Sequence, residues 1–213
     1  MLGNMHTSHR MILLVPAGLY LILVGLIVVL PAMSAAKEEQ QVERIEPTPI
    51  AAWGRRLYRE SFNCVVCHTQ QIRGDERRKS EIDGSVPVLA ADARFGLEGP
   101  TTADEYAHQE APLMGTQRTG PDLMSIGVRM PSRQWHYWHL YDPRSVSPGS
   151  TMEAYPYLFS REKPKPVGDA IPEEVEQIEA LGLEGGTLWA RPEAVALVDY
   201  LLSLDRPRTQ VDR

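Results

Sequence analysis

The chain has 213 residues, with 22 basic and 28 acidic side chains and a formal net charge of −6. That is room for one domain of ordinary size with additions, and the mild acidic excess argues against nucleic acid as a partner. The composition is that of a globular protein, except that apolar residues gather in one N-terminal run.

A short tail, residues 1–10, ends in Arg10. Met11 to Leu30 then reads MILLVPAGLYLILVGLIVVL without a charge, about the twenty residues needed to cross a bilayer. Pro16, Gly18 and Gly25 are tolerable there, since both residue types are commoner in membrane helices than in soluble ones. Ser34 to Ala36 would serve as a small-residue cleavage site for a secretory signal. The apolar run exceeds the roughly 7–15 residues of a signal core, however, which favours a retained transmembrane anchor over 11–31. Arg10 before the span and KEEQQVE after it place the rest of the chain outside the cytoplasm in either case. The expectation is a single-pass protein of the cytoplasmic (inner) membrane, in contact with lipid, with its main domain on the periplasmic or outer side.

Residues 32–50 include the charged, proline-bearing AKEEQQVERIEPTPI, a tether that lifts a domain off the membrane. The folded part runs over 51–205, with a C-terminal tail at 206–213. Three segments carry a helical rhythm: AAWGRRLYRESF, PEEVEQIEALGL and PEAVALVDYLLSL. The last two open with proline followed by acidic residues, a first-turn signature. Between them lie long stretches rich in Pro, Gly, Ser and Asp, and no alternation of apolar and polar residues marks strands. So much irregular chain needs an organiser, and a large apolar cofactor would be one.

The only cysteines lie in ESFNCVVCHTQQIRG, as Cys64 and Cys67, with His68 directly after. A redox dithiol is expected at a strand-to-helix junction in a βαβ context, and no such pattern surrounds them. Zinc would need a second half-site, and His136 and His139 in QWHYWHL offer one. They have two intervening residues where such sites usually have three to five, and they are equally suited to packing beside Trp135 and Trp138. C-x-x-C-H is the attachment signature of c-type haem. Two thiols one helical turn apart match the two vinyl groups, and the next residue is held under the iron. With an export segment upstream and both cysteines used, covalent haem c, one per chain, is the reading, with His68 as an axial ligand.

An iron-bound histidine donates its other ring N–H to an acceptor. In class I cytochromes c a Gly-Pro turn supplies that carbonyl, and TGPDL contains one, which assigns Pro121 to His68 and sets Leu123 against the haem edge. Methionine is the soft sixth ligand that an electron carrier calls for, and the candidates are Met114, Met124, Met130 and Met152. Met124 is too near Pro121. Met152, in the rigid-looking loop SVSPGSTMEAYPYL, ranks ahead of Met130, with His136 and His139 behind. Trp135 and Arg144 are candidate partners of the haem propionates. Gly54 and Tyr58 in the first helix, and Leu197 and Tyr200 in the last, form the quartet expected where the terminal helices of such a domain cross. The fold class is therefore mainly α: one N-terminal transmembrane helix, then a class I cytochrome c domain with long irregular loops.

GRRLYRESFNCVVCHTQQIR, GTQRTGPDL, WHYWHLYDPRSVSPGSTMEAYPYLF and the final helix together resemble subunit II of the cbb-type cytochrome c oxidases, the membrane-anchored mono-haem subunit. In that family the haem methionine lies in a loop ending M-x-A-Y-P, which Met152 to Pro156 matches, so the resemblance implies His68 and Met152 as the iron ligands. It also implies a retained anchor beside a catalytic haem-copper membrane subunit. The donor it implies is another cytochrome c subunit or a soluble cytochrome c. Such a subunit is an electron-transfer component of an oxidase that reduces oxygen to water, and no enzyme alone. The insertion at about 74–114 keeps the family's length but little of its wording, and is expected to meet neighbouring subunits. Its basic run, Arg73, Arg77, Arg78 and Lys79, faces solvent or an acidic partner. The neighbouring alternatives are the anchored cytochrome c subunit of a nitric oxide reductase and a free membrane-tethered carrier. A haem sensor would need an open sixth position, contrary to Met152.

Overall fold

The structure, a computed structural model, describes residues 9–34, 47–93, 99–102, 113–115, 117–182 and 185–204. Residues 1–8 of the tail expected at 1–10, the tail expected at 206–213, most of the tether and parts of the insertion lie outside the described residues. The chain divides into two compact units, Met1–Arg44 and Ile45–Arg213.

In the first unit, α1 (His9–Val24) runs through a π-type turn at Gly25–Val29 and on to Ser34. The apolar stretch Leu13–Ser34 counts 22 residues, a rise of about 33 Å against a hydrocarbon core of roughly 30 Å. Pro16 lies inside this helix. Leucine and isoleucine side chains point outward all round it, as suits a helix solvated by lipid. The chain has one N-terminal apolar helix long enough to span.

The second unit begins with α2 (Pro49–Arg56). Thr48 caps it by accepting from the Ala51 N–H at 3.3 Å, and Pro49 takes the first helical position. A π-type turn over Leu57–Ser61 extends it. Ala51, Gly54, Leu57 and Tyr58 recur at helical spacing and are buried. Asn63, with φ +51°, turns the chain into α3 (Cys64–Cys67), a single helical turn. Left-handed backbone is a conformation that asparagine accepts more readily than most residues. The described part of the insertion contains α4 (Ala90–Ala93). It then folds back, bridging Gly74 to Val88 and donating from Leu89 N to Arg73 O at 2.8 Å.

After the insertion come α5 (Ile126–Arg129), α6 (Arg133–Tyr141) and α7 (Pro143–Val146), the latter two capped by Ser132 and Asp142. The final helix is α8 (Pro192–Leu202). α2 and α8 cross in direct contact. A Cβ on Gly54 would stand 1.9 Å from the Ala196 carbonyl oxygen, so only glycine permits this approach. Tyr58 and Tyr200 pack edge to face at 5.6 Å. The two terminal helical segments and the crossing quartet expected from the sequence are thus present. Ala194 to Val198, Tyr200 and Leu201 are all buried, which makes α8 the centre of the core.

Two expectations are corrected. PEEVEQIEALGL is not helical: it forms β2 (Glu173–Val175) and a 3-10 turn at Glu179–Leu181. β2 belongs to a three-stranded antiparallel sheet with β1 (Phe159–Ser160) and β3 (Leu188–Ala190), in the order β1-β3-β2. Strands are therefore present where none was expected. The apolar spacing misleads because Pro172, Val175, Ile178 and Leu181 fall three apart, and here extended chain and a tight turn bury them wholly or in part, as a helix would. Val175 pairs with Leu188. α6 straps the sheet from the side: Tyr137 Oη donates to Glu173 Oε2 at 2.9 Å, Trp138 Nε1 to Glu176 O at 2.8 Å, and Gln134 bonds Glu174 and Glu176. With strands of two or three residues, alternation never had the length to register.

Candidate functional site

α3, the Gly120-Pro121 turn, α6 and the loop after α7 enclose a cavity of about 750 Å³, within the range of pockets that hold small molecules and cofactors. Cys64, Cys67, His68, Pro121, Leu123 and Met152 all line it, as do Trp135, His136 and His139. The sequence-selected residues, separated by up to 88 positions, are therefore brought to one place. Met114 is half exposed and Met124 packs against Ile72. Met130 and Arg144 are likewise not among the lining residues.

Backbone geometry fixes His68. Its N–H closes the α3 turn on Cys64 O at 2.9 Å, and its own backbone is extended, which turns the ring out of the helix. Nδ1 donates to the Pro121 carbonyl oxygen at 2.9 Å, the pairing expected from TGPDL. That places the N–H on Nδ1 and leaves Nε2 with a free lone pair. Burial lowers the His68 pKa, against the pull of the Pro121 bond, so the ring is neutral and able to ligate. Gly120 lies flat against it: a Cβ there would meet His68 Cε1 at 2.3 Å. The turn is laced to the motif by Gly120 N to Cys67 O at 3.1 Å and Leu123 N to Thr69 O at 2.9 Å. Tyr58 Oη donates to the His68 carbonyl, so the α2–α8 crossing also braces the histidine. Tyr200 in turn bonds Gln70, fully buried, at 2.7 Å.

A second layer supports the turn. Asp122 accepts from Gln71 N at 2.9 Å and from Met124 N at 2.8 Å, and its own carbonyl accepts from Arg129. Burial pushes the Asp122 carboxyl up to about 6. Arg118, in left-handed backbone at φ +52°, reaches Gln71 O at 2.9 Å and Asp92 Oδ2 at 2.8 Å. Asp92 belongs to α4 of the insertion and also pairs with Arg73. This described part of the insertion is thus a strut behind the Gly-Pro turn. Of the basic run, Arg73 pairs with Asp92 and Arg78 with Asp75.

On the opposite chain segments, Met152 is half-buried and its loop is held by Arg144, which donates to the carbonyls of Ser150 at 3.4 Å and Met152 at 3.1 Å. Arg144 thus positions the Met152 loop from outside the residues that line the cavity. His136 is committed too: its Nε2 bonds the Met130 carbonyl at 2.9 Å, and burial pushes its pKa down to about 4. His139 stacks on Trp135, centroids 4.7 Å apart and planes within 10°. Its Nδ1 is buried with no partner among the described residues.

This donor set discriminates between the three chemistries the cysteines allow. Among the described residues, no three His, Cys, Asp or Glu side chains converge as a metal site, so the zinc constellation is not assembled. Burial pushes the Cys64 thiol up to about 12, far from the lowered range of a reactive dithiol, and no βαβ unit surrounds α3. A haem fits the residues present. Two thiols one turn apart, a neutral imidazole with its outer nitrogen tied down, a flat glycine wall and the stacked rings of Trp135 and His139 line one largely apolar cavity.

The family model described as cytochrome C oxidase, mono-heme subunit/FixO matches residues 4–185. The chain belongs to the FixO family. FixO proteins are mono-haem subunits of a cytochrome c oxidase complex, the resemblance already carried by the sequence motifs, and membership implies one haem and a catalytic partner subunit. The match begins before the apolar helix, so the FixO assignment covers this membrane-span candidate as well as most of the second unit. None of the curated proteins matches the chain.

Sequence reasoning missed several supports of this site. Tyr58 entered only as a member of the helix crossing, and its hydroxyl bond to the His68 carbonyl had no local signal. Arg118 and Asp92 are 26 positions apart, and nothing in either neighbourhood pairs them. Asn63, directly before the motif, is the one detail a closer reading could have marked, as asparagine tolerates the turn that launches α3.

Proposed function

We propose that this FixO chain is the haem c electron-transfer subunit of a cbb-type oxidase, relaying electrons from a cytochrome c donor to the catalytic haem-copper subunit. The single observation that carries the reading is the convergence of Cys64, Cys67, His68 and Met152 on one cavity, with His68 Nδ1 tied to Pro121. Residues 51–205 would then be a class I cytochrome c domain. The anchor would hold it at the outer face of the inner membrane, among lipid and beside the catalytic subunit.

Haem c, when bound, supplies a one-electron couple. Cys64 and Cys67 would attach it through their sulfurs, and His68 and Met152 would be its axial ligands. The Pro121 carbonyl holds the His68 ring in one orientation and raises its donor strength. The thioether of Met152 is soft and favours the reduced state, which raises the potential. With His68 and Met152 both holding the iron, oxygen would be kept from the site, and reduction of oxygen would be left to the partner subunit. Leu123, Leu197 and Leu201 line the cavity and exclude water, which further favours the less charged, reduced state.

The test is purification of the tagged full chain from detergent-solubilised membranes, beside Cys64→Ser/Cys67→Ser. The proposal expects a haem that survives denaturing electrophoresis in the native chain and is absent from the variant. It also expects a copurifying haem-copper subunit whose oxygen consumption, fed by reduced cytochrome c, collapses with the variant. A haem-bearing chain that purifies alone and leaves oxygen consumption untouched contradicts it.

A further inference from the structure

His139 is the cavity residue that the iron-ligand assignment leaves unused. It sits one helical turn after Trp135 on α6, and the stacked rings fix the plane of the imidazole. Its neighbour His136 is satisfied by the Met130 carbonyl, whereas the Nδ1 of His139 is buried without a partner among the described residues. In either protonation state an imidazole carries at least one N–H. A buried polar group left unpaired is costly and uncommon in native proteins. His139 lines the cavity, and neither of its ring nitrogens bonds another described residue, so an N–H of this ring is available to what the cavity receives.

Given the proposed haem, the choice is narrow. A haem's surface is apolar except at the iron and the two propionate carboxylates. His68 and Met152 account for the iron, and of the two sequence candidates for a propionate Arg144 does not line the cavity while Trp135 stacks on His139. We infer that His139 is a haem-propionate ligand, donating its ring N–H to one carboxylate while Trp135 sets its orientation. This role rests on the proposed haem. The consequence is electrostatic: an N–H aimed at a buried carboxylate disperses negative charge close to the iron, and its removal makes the oxidised state easier to reach.

The experiment uses the full chain matured with haem, native and as His139→Phe and His139→Gln, in mildly alkaline buffer where a carboxylic acid stays ionised. Three signals are read: the midpoint potential, the propionate bending modes in resonance Raman, and the far-red sulfur-to-iron band. The expected result is a lower potential and shifted propionate modes in His139→Phe, substantial recovery in His139→Gln, whose amide can donate, and an intact sulfur-to-iron band in all three. Unchanged potential and modes in His139→Phe would reduce His139 to packing. Absence of the sulfur-to-iron band in the native protein, with six-coordination lost on substitution, would make His139 an iron ligand and overturn the inference. If His139→Phe fails to mature, His139→Leu and His139→Gln are compared on the same modes, and identical spectra overturn it equally. Absence of covalent haem from the native chain would instead remove the haem reading itself.

Discussion

Gly120 is where a single methyl group should reach the iron. In Gly120→Ala the added Cβ would stand 2.3 Å from His68 Cε1, 2.6 Å from Nδ1 and 2.8 Å from Nε2. Ordinary contact demands a retreat of about 1 Å by the ring or by the turn. Gly120 faces the flat of the ring, so either movement is normal to it: it bends the 2.9 Å bond from His68 Nδ1 to Pro121 O and lengthens it to only about 3.1 Å, weakening it without breaking it. A hydrogen bond of this kind is worth about 1 kcal/mol net. Loss of that whole preference for the ferric state would raise the potential by about 40 mV for one electron, so the weakened bond predicts a smaller rise below that ceiling. The sign is upward because an imidazole without its acceptor is the weaker donor and stabilises ferric iron less. Redox titration of the haem-loaded full chain, native against Gly120→Ala, reads the shift directly. A variant with native potential and native spectrum would show that the turn does not set the histidine, and the derivation of the site from TGPDL would fail.

Other consequences can be checked on the same material. Gly54→Ala drives a methyl to 1.9 Å from the Ala196 carbonyl, and neither helix backbone can yield; a loss of about 3 kcal/mol is expected, lowering the thermal midpoint by on the order of 10 °C. Arg118→Ala leaves buried Asp92 with Arg73 as its only remaining charged partner among the described residues. It should cost about 2–3 kcal/mol in urea unfolding, with a shifted potential as the Gly-Pro turn loosens. His136 has a folded pKa of about 4, below its unfolded value. The native state therefore binds fewer protons in that window, and stability falls as pH drops from about 6.5 toward 4, by up to ~3 kcal/mol. His136→Gln should flatten the difference, measured as thermal midpoint against pH; a native slope in the variant would place the acid sensitivity elsewhere.

What the sequence made legible was what spacing alone encodes. C-x-x-C-H places three groups within one turn of helix. The span announces itself by length without charge. Gly54 and Tyr58, four apart, need only one helix to share a face. Met152 was reached differently, through a loop motif rather than any periodicity, and the structure brings it to the same cavity as His68. The failures are equally physical. Pro172, Val175, Ile178 and Leu181 repeat every three residues, and that repeat suits a helix or, as here, an extended segment ending in a tight turn. Strands of two and three residues are too short for alternation to be counted. The insertion looked like surface because its chain is polar. Its inward function depends on Asp92 meeting Arg73 and Arg118, a long-range pairing that no local pattern carries.

The decisive measurement is the reduced and oxidised absorption spectrum of the full chain, expressed with haem-attachment machinery, beside Met152→Ala. A haem held by His68 and Met152 predicts a sharp c-type band on reduction and a weak far-red sulfur-to-iron band on oxidation, with the second lost in the variant. A covalent haem whose far-red band survives Met152→Ala would contradict the His68–Met152 site, and a chain that attaches no haem at all would contradict the haem reading as a whole.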